Sequence, residues 1–330
     1  MSLQHDFMFA SPKFEQRRRT LGLLCAGAAA VAAWSPSAGA QARPALRIGY
    51  QKYGTLTLLK GRGALERRLA ARGIAVQWTE FPAGPVLLEG LNVGSIDFGS
   101  VGEAPPVFAQ AAGAGLVYVA NEPPSPSSEA IVVPGNSPLR LLADLRGKKI
   151  ALNKGSNVHF LLLKALEKAG VAYADIQPVF LPPADARAAF ERGSVDAWAI
   201  WDPFLAAAER QLGARVLADG KGLVANHQFY VASRDYAVKN RDIVRIVVEE
   251  LAEVDEWGRQ HPKQAAAILS AQTGLEAGVV ELAAQRFAFG VRPVTPDVIR
   301  AQQKVADAFA GLKLIPKPIV VADALLPFAL

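Results

Sequence analysis

The chain has 330 residues, enough for two domains with a sizeable core in each. With 51% hydrophobic and 20% charged residues it is neither a disordered nor a fibrous protein. The formal charge of +6 is scattered, which excludes the clustered basic face of a nucleic-acid binder.

Residues 1–40 read as a cleavable signal peptide. Arg17-Arg18-Arg19 is a basic n-region, and Leu21 to Ala33 is an apolar h-region. Ala38-Gly39-Ala40 is an A-x-A cleavage site before Gln41. The apolar run is well short of the roughly twenty residues a membrane span needs. Arg18-Arg19 followed by Thr20-Leu21 leaves the twin-arginine route open beside the general one. The sole cysteine, Cys25, falls inside this segment, so no disulfide or thiol chemistry is expected in the mature chain. An export signal without an anchor predicts a soluble protein of the periplasm or the exterior.

Leu46 to Gln51 reads as the first strand, and Gly54-Thr55 opens a helix running to Gly73. Ile74 to Phe81 alternates like a strand, and Gly84-Pro85 starts a helix to Leu91. Ser95 to Gly99 is a strand, Pro106 to Ala112 a helix, and Leu116 to Ala120 a strand. This alternation predicts right-handed βαβ units and a largely parallel sheet. Pro123, Pro124 and Pro126, interleaved with serines, break the pattern and read as a crossing between two lobes. Ala130 to Val133 is a strand, and Leu139 to Leu145 a helix stopped by Gly147. Strand Ile150 to Leu152 then enters a polar turn and a helix, with Ser156 or Asn157 as the N-cap. Strand Val179 to Leu181, helix Ala184 to Arg192, strand Val195 to Ile200 and helix Pro203 to Leu212 follow. A return crossing is expected near Tyr230 to Asp235, and the remainder is helical. Its longest helix, Asp242 to Gln260, carries a core-facing apolar stripe.

The chain writes two patterns twice, about 100 residues apart. Ile48-Gly49-Tyr50-Gln51-Lys52 matches Ile150-Ala151-Leu152-Asn153-Lys154, where a strand delivers an amide and then a lysine to a turn. Leu91-Asn92-Val93-Gly94-Ser95-Ile96-Asp97-Phe98 parallels Phe190-Glu191-Arg192-Gly193-Ser194-Val195-Asp196-Ala197. Two echoes in the same order imply two αβ lobes of similar topology, facing each other across a cleft. In open α/β sheets the ligand lies beyond the C-terminal strand ends. Gln51, Lys52, Ser100, Gly102 and Glu103 fall there in one lobe. Asn153, Lys154, Gly155, Ser156, Asn157, Trp198, Trp201 and Asp202 fall there in the other.

Amides, small residues and helix starts suit an anionic head group. Gly155 and Ser156 would supply backbone N–H groups and a hydroxyl, Gln51 and Asn153 amide hydrogens, and Gly102 room for close approach. Trp198 and Trp201 are three apart on a segment turning from strand to loop, so one is expected at the cleft and the other in the core. Glu103 and Asp202 are as well explained as carboxylates at helix starts, before Pro105 and Pro203, as by ligand contact. His159, His227 and His261 are isolated and lack metal-ligand spacing. No nucleophile elbow, P-loop or dinucleotide fingerprint occurs at a strand-to-helix turn.

Gly49-Tyr50-Gln51-Lys52, the run Glu89 to Gly99, the run Ala151 to His159 and the run Asp196 to Pro203 resemble the aliphatic-sulfonate-binding proteins of bacterial ABC importers. The Asn-Lys-Gly-Ser-Asn stretch is the most specific part. The Gly-Ser-Ile-Asp pattern is shared with taurine, nitrate and thiamine-precursor binders, which remain alternatives. The resemblance implies an α/β, type II periplasmic-binding-protein fold with two αβ lobes, a hinge and a helical C-terminal part. On this reading residues 41–128 and 233–330 form lobe 1 and residues 129–232 form lobe 2. It further implies a monomer that captures an alkanesulfonate and delivers it to a membrane permease and its ATPase subunit for sulfur supply, without cofactor or catalysis. An enzyme on this fold making a thiamine pyrimidine would need a cysteine-rich iron site. A transcription regulator would need a helix-turn-helix where the signal peptide stands.

Overall fold

The computed structural model describes residues 44–326, and the signal-peptide reading of residues 1–40 lies outside them. Ten strands form two five-stranded sheets. The first is built from β1 (Ala45–Tyr50), β2 (Ala75–Glu80), β3 (Phe98–Gly102), β4 (Leu116–Asn121) and β10 (Gln228–Ser233), in the order β2-β1-β3-β10-β4. The second is built from β5 (Glu129–Val133), β6 (Lys149–Leu152), β7 (Gln177–Phe180), β8 (Ala197–Trp201) and β9 (Arg215–Asp219), in the order β7-β6-β8-β5-β9.

Each sheet is mixed, with four strands running one way and one against them. In each, three strands pair side by side in parallel, β2-β1-β3 or β7-β6-β8, and the fourth reached by a helical crossover, β4 or β9, runs the same way beyond the inserted strand. The strand arriving from the other sheet, β10 or β5, inserts antiparallel to both its neighbours. Because β10 already pairs in the first sheet, the return crossing precedes Gln228, earlier than the sequence reading placed it. The two crossings, residues 122–128 and 220–227, lie side by side. Ser125 N donates to Ala225 O at 3.1 Å, and Gly220 N donates to Pro126 O at 2.9 Å.

The internal echoes have a common physical basis. Arg47 N donates to Asp97 Oδ2 at 2.9 Å, and Lys149 N to Asp196 Oδ2 at 2.8 Å. Gly94 and Gly193 both adopt left-handed φ, 72° and 66°, at the turn that sets each aspartate in place. The repeated Gly-Ser-x-Asp motif therefore splices a helix end onto the strand beside β1 or β6.

The connecting helices are α1 (Thr55–Arg62), α2 (Ala64–Ala70), α3 (Gly84–Asn92) and α4 (Ala104–Ala111) around the first sheet, and α5 (Asn157–Ala169), α6 (Pro183–Glu191) and α7 (Phe204–Leu212) around the second. Left-handed Gly63 divides what the sequence suggested was one helix into α1 and α2. The expected helix over 139–145 is only a 3-10 turn, Leu142–Leu145. After β10 come α8 (Arg234–Lys239), α9 (Arg241–Gln260), α10 (Pro262–Thr273), α11 (Ala277–Ala284) and α12 (Pro296–Gly311). The stripe of α9, including Ile243, Val247 and Leu251, is buried against β1, α1 and α2. No helix among the described residues is long and apolar enough to cross a membrane.

Candidate functional site

At the C-terminal ends of the parallel strands the two sheets enclose a cavity of about 360 Å³. Its wall takes residues from the starts of six helices: Gly54 before α1, Gly84 of α3, Pro105 of α4, Ser156 before α5, Pro183 of α6 and Phe204 of α7. A helix start carries backbone N–H groups without an intrahelical acceptor, together with the positive end of the helix dipole, although Pro85, Pro105, Pro106 and Pro183 have no N–H to give and Ala104 N and Ala206 N are already bound by Asn157 and Asp202. Dipole ends directed at one space favour an anion there.

Formal charges at the wall are close to balanced. Lys52 Nζ is 4.0 Å from Glu80 Oε1, a loose and half-exposed pair. Asp202 accepts from Ala206 N at 3.0 Å, and Arg286 Nη1 approaches the same oxygen at 3.5 Å. Burial, opposed by Arg286, pushes the Asp202 carboxyl up to about 7. Asp202 thus caps α7 and is tied to the C-terminal helices.

Seven of the thirteen residues singled out by sequence line this cavity: Gln51, Lys52, Gly102, Ser156, Asn157, Trp201 and Asp202. Gln51 Nε2 donates to Ser100 O at 3.2 Å, which fixes the amide and leaves its second hydrogen for a ligand. Ser156 is the N-cap of α5, as the sequence suggested, but its hydroxyl does not cap. It donates instead to Asn153 O at 2.6 Å, so no side chain caps the first turn of α5. Asn157 Oδ1 accepts from Ala104 N at 3.2 Å, and its Nδ2 donates to Asn226 Oδ1 at 2.5 Å. One amide thereby joins α4, α5 and the return crossing.

The other six lie elsewhere. Ser100 is buried in β3, where its carbonyl serves Gln51. Glu103 is buried behind the wall, accepting from His227 N at 3.1 Å, and burial pushes its carboxyl up to about 7. Trp198 packs against Phe190 in the core of the second sheet, so Trp201 is the tryptophan at the cavity. Asn153, Lys154 and Gly155 line a neighbouring groove, where Lys154 Nζ sits 5.5 Å from the Phe180 ring centroid.

Sequence reasoning missed Tyr53, Ser128, Asn226, Gln228 and Phe287, which also line the cavity. Tyr53 stacks edge-on against Phe287 at 5.9 Å. Its buried hydroxyl has no protein partner among the described residues, and burial raises its pKa. The one available signal was position, since Tyr53 follows the echoed Gln51-Lys52 pair. Asn226, Gln228 and Phe287 come from the return crossing, the inserted strand and the C-terminal part, and no motif marks them. His159, wholly buried, accepts a hydrogen bond from Gly155 N at Nδ1 and contacts Tyr173 Oη at 3.0 Å through Nε2. Burial pulls its pKa down to about 4, so it is a neutral packing residue.

Two facing mixed sheets, joined by paired crossings and closing on a cavity at their strand ends, define a type II periplasmic-binding-protein fold. The family model described as NMT1/THI5 like matches residues 69–265. An aliphatic sulfonates-binding protein of Escherichia coli K12 is 47% identical over 304 residues, covering 92% of this chain and 94% of that protein. A second such protein, of Bacillus subtilis strain 168, is 32% identical and covers 84% of each chain. The solved alkanesulfonate-binding protein SsuA of Xanthomonas axonopodis pv. citri, bound to MOPS, superposes with a TM-score of 0.82 at 46% identity, covering 86% of this chain and 99% of that one. The chain belongs to the aliphatic sulfonates-binding protein family.

Proposed function

We propose that this protein is the periplasmic solute-binding component of an ABC importer and captures an alkanesulfonate in the cavity between its two sheets. One observation carries the reading. Six helix starts converge on a cavity whose formal charges are otherwise paired, and aromatic side chains close the same cavity. Backbone N–H groups suit a tetrahedral sulfonate head without demanding a buried lysine. Trp201, Phe204 and Phe287 suit a carbon-bearing tail, which inorganic sulfate and nitrate lack.

In this reading Gln51, Ser156 and the first turn of α5 hold the head, with Tyr53 as a further hydroxyl donor. Asn157 and Gly102 keep the two halves in register, Asp202 orders the start of α7, and Lys52 sets the field at the mouth. The crossings at 122–128 and 220–227 act as the hinge, and the protein works as a monomer that hands its ligand to a permease and its ATPase subunit. The description of the relatives as binding proteins supports binding without chemical change, and this reading calls for no cofactor.

Calorimetric titration of the mature protein with ethanesulfonate, butanesulfonate, taurine, nitrate and sulfate tests the proposal. Sulfonates are expected to bind most tightly and to be recovered intact. Binding of nitrate alone would overturn the sulfonate reading, and consumption of the ligand would overturn the transport reading.

A further inference from the structure

Beside the cavity lies a second, larger space of about 580 Å³. One wall is the outer face of α3 and α4, with Val86, Phe108 and Ala109. The other is the 153–155 loop and the end of β7, with Phe180. The two spaces are continuous in their walls. Pro105 and Pro182 line both, and Ser156 on the cavity adjoins Gly155 on the groove. Val86 is 40% exposed and Phe180 42%, an uncovered apolar surface at the edge of a ligand site.

We infer that this groove takes the far apolar end of a long-chain sulfonate whose head lies in the cavity, an inference that rests on the sulfonate reading above. A chain leaving the cavity between Pro105 and Pro182 meets apolar side chains from both halves of the molecule. Its burial therefore joins the two halves as well as desolvating the chain. Lys154, exposed at the groove's edge, holds its ammonium 5.5 Å from the Phe180 ring centroid. The echo of Gln51-Lys52 in Asn153-Lys154 is then resolved by position: Gln51 serves the head-group cavity, and Asn153 and Lys154 border the tail groove.

The test is calorimetric titration of linear alkane-1-sulfonates from two to ten carbons against the wild type, Val86→Asp and Phe180→Asp, both at exposed positions. In the wild type affinity should keep rising with chain length, by about fourfold for each methylene buried. In the variants decanesulfonate should lose at least about tenfold, from an introduced charge facing several buried methylenes, while ethanesulfonate stays within about twofold. A wild-type affinity that stops rising at butanesulfonate would overturn the groove assignment and leave the sulfonate reading standing. So would decanesulfonate binding unchanged in both variants. Failure of ethanesulfonate and decanesulfonate alike to bind the wild type would overturn both.

Discussion

Gly102→Ala is expected to act entirely through Asn157. A Cβ on Gly102 would lie 2.0 Å from Asn157 Nδ2, 2.2 Å from Oδ1 and 2.3 Å from Cγ, distances that no side-chain adjustment in place relieves. The amide must leave, and the Ala104 N–H loses its acceptor at 3.2 Å while Asn226 loses its donor at 2.5 Å. An orphaned buried N–H costs about 1–3 kcal/mol and the second bond about 1 kcal/mol, so Gly102→Ala should destabilise by about 2–4 kcal/mol. Asn157→Ala removes the same two bonds and should cost about the same. In the double variant the new methyl occupies space already vacated, so the total stays near about 2–4 kcal/mol instead of doubling. Any gain from stiffening the unfolded chain at position 102 appears in single and double variants alike and cancels. Urea denaturation of the four proteins measures the cycle. Additive costs, within about 0.5 kcal/mol, would show that Gly102 is required for another reason and that Asn157 is not the clasp.

Three further predictions follow from placement and charge. Burial raises the Glu103 carboxyl from 4.5 to about 7, so the folded state holds this proton more tightly than the unfolded chain. Its contribution to stability is therefore complete below about 4.5 and lost as pH rises through about 7, worth about 3 kcal/mol at most. Glu103→Gln keeps an acceptor for His227 N but does not titrate, so the fall in Tm between pH 5 and pH 8 should shrink. It should not vanish, because fully buried Glu129 is also raised, by burial and by Glu103 itself. An unchanged slope would contradict the assignment. Trp198→Ala should cost about 3–5 kcal/mol in stability, whereas Trp201→Ala should mainly weaken sulfonate binding; thermal melts paired with calorimetry separate the two, and the reverse pattern would exchange their roles. Lys154→Ala should leave ethanesulfonate affinity within about twofold, the scale of an exposed charge, and a tenfold loss would move the head group out of the cavity toward the 153–155 loop.

Half of the candidate site was legible in the residues, and the reason is topological. A repeated strand–turn–helix pattern places its turn at the same sheet edge each time, so Gln51, Lys52, Gly102, Ser156, Asn157 and Asp202 could be located without coordinates. The same logic could not separate Asn153, Lys154 and Gly155 from Ser156. Adjacent residues of a turn diverge in direction, and here the divergence sends one side into the cavity and the other into the groove. Nor could it choose between Trp198 and Trp201: both lie on β8, where a three-residue step gives opposite faces, but which face meets the cavity depends on packing.

Local chemistry alone accounts for the two αβ halves, the glycine stops, the aspartates that splice helix to strand, and the expectation of an anion at the helix starts. These depend on backbone dihedrals, capping and hydrogen bonds between near neighbours or repeated units. The antiparallel insertion of β10 and β5, the contributions of Asn226, Gln228 and Phe287, and the burial that raises Asp202 and Glu103 were decided only in the assembled molecule. Each depends on segments far apart in the chain meeting in space. Pairing across the crossings and the loss of water around a carboxyl are properties of that packing, and no stretch of sequence carries them by itself.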